Sequence, residues 1–164
     1  MTLKVDVLWP TLIWQSTLPD EQKSLLLEVK DYILNLKENE PDGVKKTNYG
    51  GWQSKSWYWY PNELKSFSAA IDEAIKSCAP HYGVPEIKLK NFWYNVNNYG
   101  DYNTLHNHRG SILSGVFYID VPDENMGKLI LKEAMIYHTI YRLLTNMIIL
   151  LVKGLQIVQK QVNF

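Results

Sequence analysis

The sequence has very little cysteine, no excess of charge of either sign and no apolar run long enough to span a bilayer. A lone thiol, Cys78, excludes an internal disulfide. It fits a reducing compartment, and the chain is expected in the cytoplasm. Lysine plus arginine and aspartate plus glutamate number 17 each. Overall charge therefore offers no argument for nucleic acid or an anionic membrane, and neither is expected as a partner. Crossing a bilayer takes about 20 mostly apolar residues. The most apolar stretch, residues 136–151, is interrupted by Arg142 and Asn146, so no transmembrane span is expected. Met1 to Val7 carries Lys4 and Asp6 and lacks the apolar stretch of a signal peptide.

What is present is a soluble globular composition, with 46% apolar and 21% charged residues over 164 positions. That length suits one domain with a real core. Six tryptophans and eleven tyrosines stand out, and every tryptophan lies between Trp9 and Trp93. Rings at that density suit either a cleft or a β-rich core.

Leu3 to Leu18 reads as extended, with Val5, Val7, Ile13 and Trp14 as strand formers and Pro10 as a break. Pro19-Asp20 opens a helix whose apolar positions are Leu25, Val29, Tyr32 and Leu36, ending near Lys37. Thr47 to Trp59 is a loop containing Gly50-Gly51, with Trp52 and Gln53 as candidates to line a substrate entrance. A packed loop anchor is the equal alternative. Near Pro61 a second helix begins, with Leu64, Phe67, Ile71, Ala74 and Cys78 as its buried stripe. This makes Cys78 a small core residue.

From Glu86 the period changes to alternation through Ile87, Leu89, Phe92, Tyr94 and Val96. Asn97 to Asp101 is a turn cluster. Leu113 to Val121 is a clear alternating strand, and Lys128 to Leu131 begins another after the turn at Pro122–Gly127. Two helices followed by closely spaced antiparallel strands give an α+β class: a β-sandwich or jelly roll backed by two N-terminal helices. After Glu133 there is no acidic residue, Trp or Pro. Ile136, Ile140, Leu143, Leu144, Met147, Leu150 and Leu151 recur at roughly helical spacing, which predicts a helical tail over 132–164 in place of the last strands. Residues 1–131 then form an incomplete domain. Its exposed sheet edge, or the apolar tail, would favour a homo-oligomer.

The candidate chemistry is His106-Asn107-His108. Histidines at i and i+2 on an extended segment share one side, so two imidazoles can converge on one metal ion. Iron, zinc, copper and nickel all accept such ligands, and the pair does not choose among them. By strand parity, Tyr94 and Ser114 face the metal side. Arg109 follows the pair as either a contact or a surface charge.

Several blocks resemble one family in the same order. They are Leu8-Trp9-Pro10-Thr11, the Gly-Gly-Trp-Gln-Ser loop within Asn48 to Ser54, Gly100-Asp101-Tyr102, His106-Asn107-His108, Gly110-Ser111 and Ser114-Gly115-Val116-Phe117-Tyr118. The family is that of the 2-oxoglutarate-Fe(II) oxygenases of bacteria and tailed phages, and the resemblance covers about residues 5 to 131. It implies a double-stranded β-helix holding Fe(II), with His106 and His108 as two of three protein ligands. It also implies 2-oxoglutarate as cosubstrate, for which strand parity offers Tyr94 and Ser114 as contacts. The family's distal histidine and its 2-oxoglutarate-binding arginine are not found after Leu131. The remaining residues of those types are His138 and Arg142, as candidate third ligand and cosubstrate clamp. The resemblance thus implies a hydroxylase-type oxygenase of unknown substrate. The alternatives are a non-catalytic jelly-roll binding module, a truncated remnant, or a small metal-binding module.

Overall fold

The amphipathic spacing after Pro19 produces a helix. In the computed structural model, which describes residues 12–108, 110–122, 127–132, 137–140, 147–152 and 156–160, α1 spans Leu25–Asn39. A short 3-10 turn at Asp20–Gln22 precedes it. Its buried stripe is Leu26, Val29 and Ile33. The predicted Leu25, Tyr32 and Leu36 lie half-buried on its flank. The second helix, α2, spans Lys65–Ser77 and buries Phe67 and Ile75. Cys78 closes its apolar face, fully buried, with its Sγ–H directed at the Ala74 carbonyl at 3.5 Å. Burial pushes the Cys78 thiol pKa up, with a smaller opposing hydrogen bond from Ser77, so the group stays protonated as a core residue.

The strands are β1 Ile13–Thr17, β2 Asn48–Tyr49, β3 Trp52–Gln53, β4 Asn95–Val96, β5 Tyr102–Asn103 and β6 Leu113–Phe117. They continue as β7 Lys128–Lys132, β8 Tyr137–Ile140, β9 Met147–Val152 and β10 Gln156–Lys160. Three sheets result, in the orders β1-β9-β6, β2-β5-β10-β7-β8 and β3-β4. All their pairings are antiparallel. Ile87 and Leu89, read as a strand, take no part in a sheet. The chain that follows them is tied by a bridge between Trp57 and Phe92 and by hydrogen bonds between Ser54 and Tyr94.

The tail departs most from expectation. Its described residues are strands, not a helix. β9 lies between β1 and β6, with Trp14 opposite Leu150 and Gly115 opposite Leu150 on the other side. β10 lies between β5 and β7, with Val158 opposite Ile130. The run Met147-Ile148-Ile149-Leu150-Leu151-Val152 carries no alternation. A six-residue apolar run in an interior strand has the same signature as one face of a buried helix. The predicted replacement of the last strands is therefore corrected: the tail supplies interior strands to both larger sheets.

The helices cover one side of the three-stranded sheet. Leu26, Val29, Ile33, Phe67, Trp52 and Tyr94 belong to one buried cluster, and Phe117 and Ile119 pack against it. Phe67 meets Phe117 edge to face at 5.0 Å. Alternation along β6 then sends Ser114, Val116 and Tyr118 to the opposite side from the helices.

The glycine loop is held by β5 and the turn before it. Asn48 pairs with Asn103 and Tyr49 with Tyr102, whose rings stack at 4.9 Å. Gly50 sits at φ +78°, and a Cβ there would collide with the Asp101 carboxylate. Asp101 is engaged in its own turn, where Asn98 N–H donates to its Oδ2 at 2.7 Å. Gly50→Ala should therefore cost at least about 1–2 kcal/mol from the left-handed backbone alone. The check is the urea unfolding midpoint, and an unchanged midpoint would show that the turn tolerates a side chain.

Candidate metal centre

His106 and His108 follow β5 and come together as the i, i+2 spacing predicts. Their ring centroids lie 4.9 Å apart with planes at 88°. An N–metal bond of about 2.0–2.1 Å puts two neighbouring imidazole ligands at about 4.5–5 Å between centroids, so the separation fits a shared ion. Both rings are partly buried.

The hydrogen bonding fixes one tautomer. His106 Nδ1 lies 2.7 Å from the Thr104 carbonyl oxygen. A carbonyl can only accept, so Nδ1 carries the proton and Nε2 keeps its lone pair free. Metal-ligating histidines are commonly oriented by donating the other ring N–H to a carbonyl in this way. His108 lies against Trp93, with ring centroids 5.4 Å apart. Burial, and then the neighbouring His106, hold the His108 imidazole below its usual range, which favours the neutral form a metal requires.

The remaining assignments divide. Strand parity placed Tyr94 on the metal side, and the structure reverses this. Tyr94 packs edge-on against Tyr32 of α1 at 6.1 Å and Phe92 at 5.5 Å, on the helix side. Trp93, its neighbour, is the ring beside His108. Two adjacent aromatic residues satisfy a period of two in either phase, so the pattern alone could not choose between them. Trp52 and Gln53, expected at a substrate entrance, are each only 6% exposed. The Trp52 indole N–H donates to the Glu40 carbonyl at 2.8 Å, and the ring belongs to the helix-side core. It is a loop anchor, as a large ring with one satisfied donor generally is when buried.

Ser114 lies in β6 on the side away from the helices, opposite Leu151 of β9. His138 is in β8 rather than a helix, opposite Leu131. β8 stands three strand spacings from β5, about 14 Å at the usual spacing, which does not bring its backbone beside the pair within the sheet. Arg109, Arg142 and the opening block Leu8 to Thr11 lie outside the described residues. His81 packs against Trp14 at 5.5 Å, near the end of α2. Among the described residues no group of three His, Cys, Asp or Glu side chains gathers to hold a metal.

Tyr118 is a further candidate; Tyr60, Tyr82 and Tyr94 likewise bury a hydroxyl with no partner among the described residues. Tyr118 is 6% exposed, and its hydroxyl has no hydrogen-bond partner among the described residues. Burial pushes its pKa strongly up, so it is a neutral donor. A buried hydroxyl without a partner is costly unless something else supplies one. Its even spacing from Ser114, one residue past the end of β6, was the available signal.

Comparison with known proteins gives two findings. Residues 91–146 match the family model described as "Putative 2OG-Fe(II) oxygenase". The chain resembles the 2OG-Fe(II) oxygenases. The matched segment contains the histidine pair, Ser114 and Tyr118. In fold, the chain is similar to a crystal structure of a Pseudomonas putida prolyl-4-hydroxylase, with a TM-score of 0.64 and 13% identity. That likeness covers 93% of this chain and 86% of the hydroxylase chain. It shows a common mixed helix-and-strand fold and says nothing of substrate. Comparison with curated protein sequences gives no match. Among the described residues, no helix is long and apolar enough to cross a membrane.

Proposed function

We propose that this chain is an Fe(II)/2-oxoglutarate-dependent oxygenase of hydroxylase type, with His106 and His108 as two protein ligands to the metal. The observation that carries the reading is the fixed His106 tautomer beside a perpendicular His108 ring 4.9 Å away. The 2OG-Fe(II) oxygenase match over residues 91–146 supports the choice of metal and cosubstrate. Strand order supports the double-stranded β-helix. β5, β6 and β7 fall in alternate large sheets, and β8, β9 and β10 do so again. Bound iron would supply the oxygen chemistry, coupled to decarboxylation of 2-oxoglutarate to succinate.

The chain's own residues then hold and orient. His106 Nε2 is the presented lone pair, kept in place by Thr104. Trp93 shields one side of His108 from water. Tyr118 is the donor proposed to meet a cosubstrate carboxylate, because its buried hydroxyl needs an acceptor, and Ser114 shares its side of β6. An arginine clamp at Arg142 remains part of the proposal by residue type alone, as does His138 as third ligand.

The test is succinate formation with Fe(II), ascorbate and 2-oxoglutarate, compared with a His108→Ala control. No succinate above the control would remove the enzyme reading. Among the described residues no three metal-ligating side chains gather, and if His138 does not complete the site a second reading follows, a metal-binding module without turnover. It predicts Fe(II) or Zn(II) binding that requires His108 but yields no succinate. Tyr118→Phe provides a further check with opposed signs. Losing a hydrogen bond to a charged group should weaken 2-oxoglutarate binding about tenfold, while removing an unpartnered hydroxyl should leave stability equal or higher. Unchanged 2-oxoglutarate affinity in Tyr118→Phe would free the hydroxyl of this role.

A further inference from the structure

The geometry points to Thr47 and Asn103 as positioning residues that hold His106 in its metal-binding tautomer. The inference rests on the metal reading above. It begins from a buried amide: Asn103 is 5% exposed, and its Nδ2 donates to Thr47 Oγ1 at 3.1 Å. The same threonine accepts the Thr104 backbone N–H on its carbonyl at 2.7 Å. Thr104 in turn accepts His106 Nδ1–H on its own carbonyl at 2.7 Å. Two hydrogen bonds thus run in series from Thr47, just before β2, to the imidazole, and the Asn103–Thr47 bond braces the first of them.

The placement explains why a side-chain bond is needed there. The β2–β5 ladder is short, pairing Asn48 with Asn103 and Tyr49 with Tyr102. The bond from Thr104 N–H to Thr47 lies just beyond it. Ends of ladders fray, and the peptide bearing the Thr104 carbonyl sits at this end. The Asn103 amide, buried and committed to Thr47, clamps the two chains at that point. Asn103 Oδ1 has no partner among the described residues, so the bond to Thr47 is the amide's one identified anchor. Without the clamp the Thr104 carbonyl is free to turn. Nδ1 of His106 then loses its fixed acceptor, and the tautomer protonated at Nε2 becomes populated. That tautomer offers no lone pair at Nε2.

The experiment uses the full chain, with Co(II) absorption as the metal probe and ¹⁵N shifts of the metal-free His106 ring as the tautomer probe. Thr47→Val keeps the shape and branching of threonine but removes the hydroxyl, and Thr47→Ser restores it. Asn103→Leu removes the same bond from the other side. Thr47→Val and Asn103→Leu are each expected to weaken Co(II) binding about tenfold, the low end of outer-shell effects. Thr47→Ser should bind as the parent does. The double variant should be within about twofold of either single one, because both remove one interaction. In the metal-free chain His106 should be protonated at Nδ1, shifting to a mixture in Thr47→Val. Parent-like Co(II) affinity and tautomer in folded Thr47→Val would overturn the proposal, even if its thermal stability drops. A parent chain that binds no Co(II) would defeat the metal reading by itself. The tautomer comparison would then decide the clamp alone, with identical His106 spectra overturning it and a shift to the mixture upholding it.

Discussion

Replacing His106 with alanine is expected to reduce divalent-metal affinity by more than about 100-fold, beyond the range of an outer-shell change. Ligand number sets the size of the effect. His106 and His108 are the two imidazoles that the described structure brings together, at 4.9 Å between rings. Removing either leaves a single imidazole, which binds no better than an isolated surface histidine. The cost to folding should be small by comparison, because His106 is only partly buried and its hydrogen bond is to an adjacent turn. Titration with Co(II) or Zn(II), alongside a thermal melt, separates the two effects. Affinity within about threefold of the parent would show that the pair is not the metal site, since loss of even an outer-shell partner costs more. Acidification should act in the same direction, because protons compete for the same lone pairs. The lowered His108 pKa, caused first by burial and then by His106, moves its share of that loss to lower pH than for a free imidazole.

The second large effect is on stability. Leu129→Ala should destabilise the fold by about 2–5 kcal/mol, the usual cost of truncating a fully buried leucine. Leu129 has no exposed surface and lies in β7, between Ile140 of β8 and Gln159 of β10. Both neighbours come from the tail. The measurement therefore reports on whether the tail is structural. Leu27→Ala, at a helix position 67% exposed, is the control and should cost under about 1 kcal/mol, since most of that side chain stays in water. Urea unfolding gives both values. A Leu129 cost as small as the control's would mean that β8 and β10 do not close over β7.

The two helices and the histidine pair were legible in the residues themselves. Leu64, Phe67 and Cys78 recur at helical spacing, and the helix that forms from Lys65 buries that stripe. Local periodicity suffices there because one face of a helix meets the core and the other meets water. His106 and His108 needed only an extended backbone to share a side, and the flanking blocks supplied the family resemblance.

Three features were decided only by tertiary structure. The tail run Met147 to Val152 satisfies a helix and an interior strand equally, and hydrogen bonding to β1 and β6 on its two sides selects the strand. Trp93 and Tyr94 are adjacent rings that fit either phase of a strand. Packing of Tyr94 on Tyr32 leaves Trp93 to His108. The partner that steadies His106 comes from Thr47, 56 residues before Asn103, across a two-residue ladder. Sequence by itself determined which side chains could bind a metal and that their spacing lets them converge. The three-dimensional fold determined which lone pair is presented, because tautomer choice depends on a carbonyl held by a distant segment, and no local pattern encodes that contact.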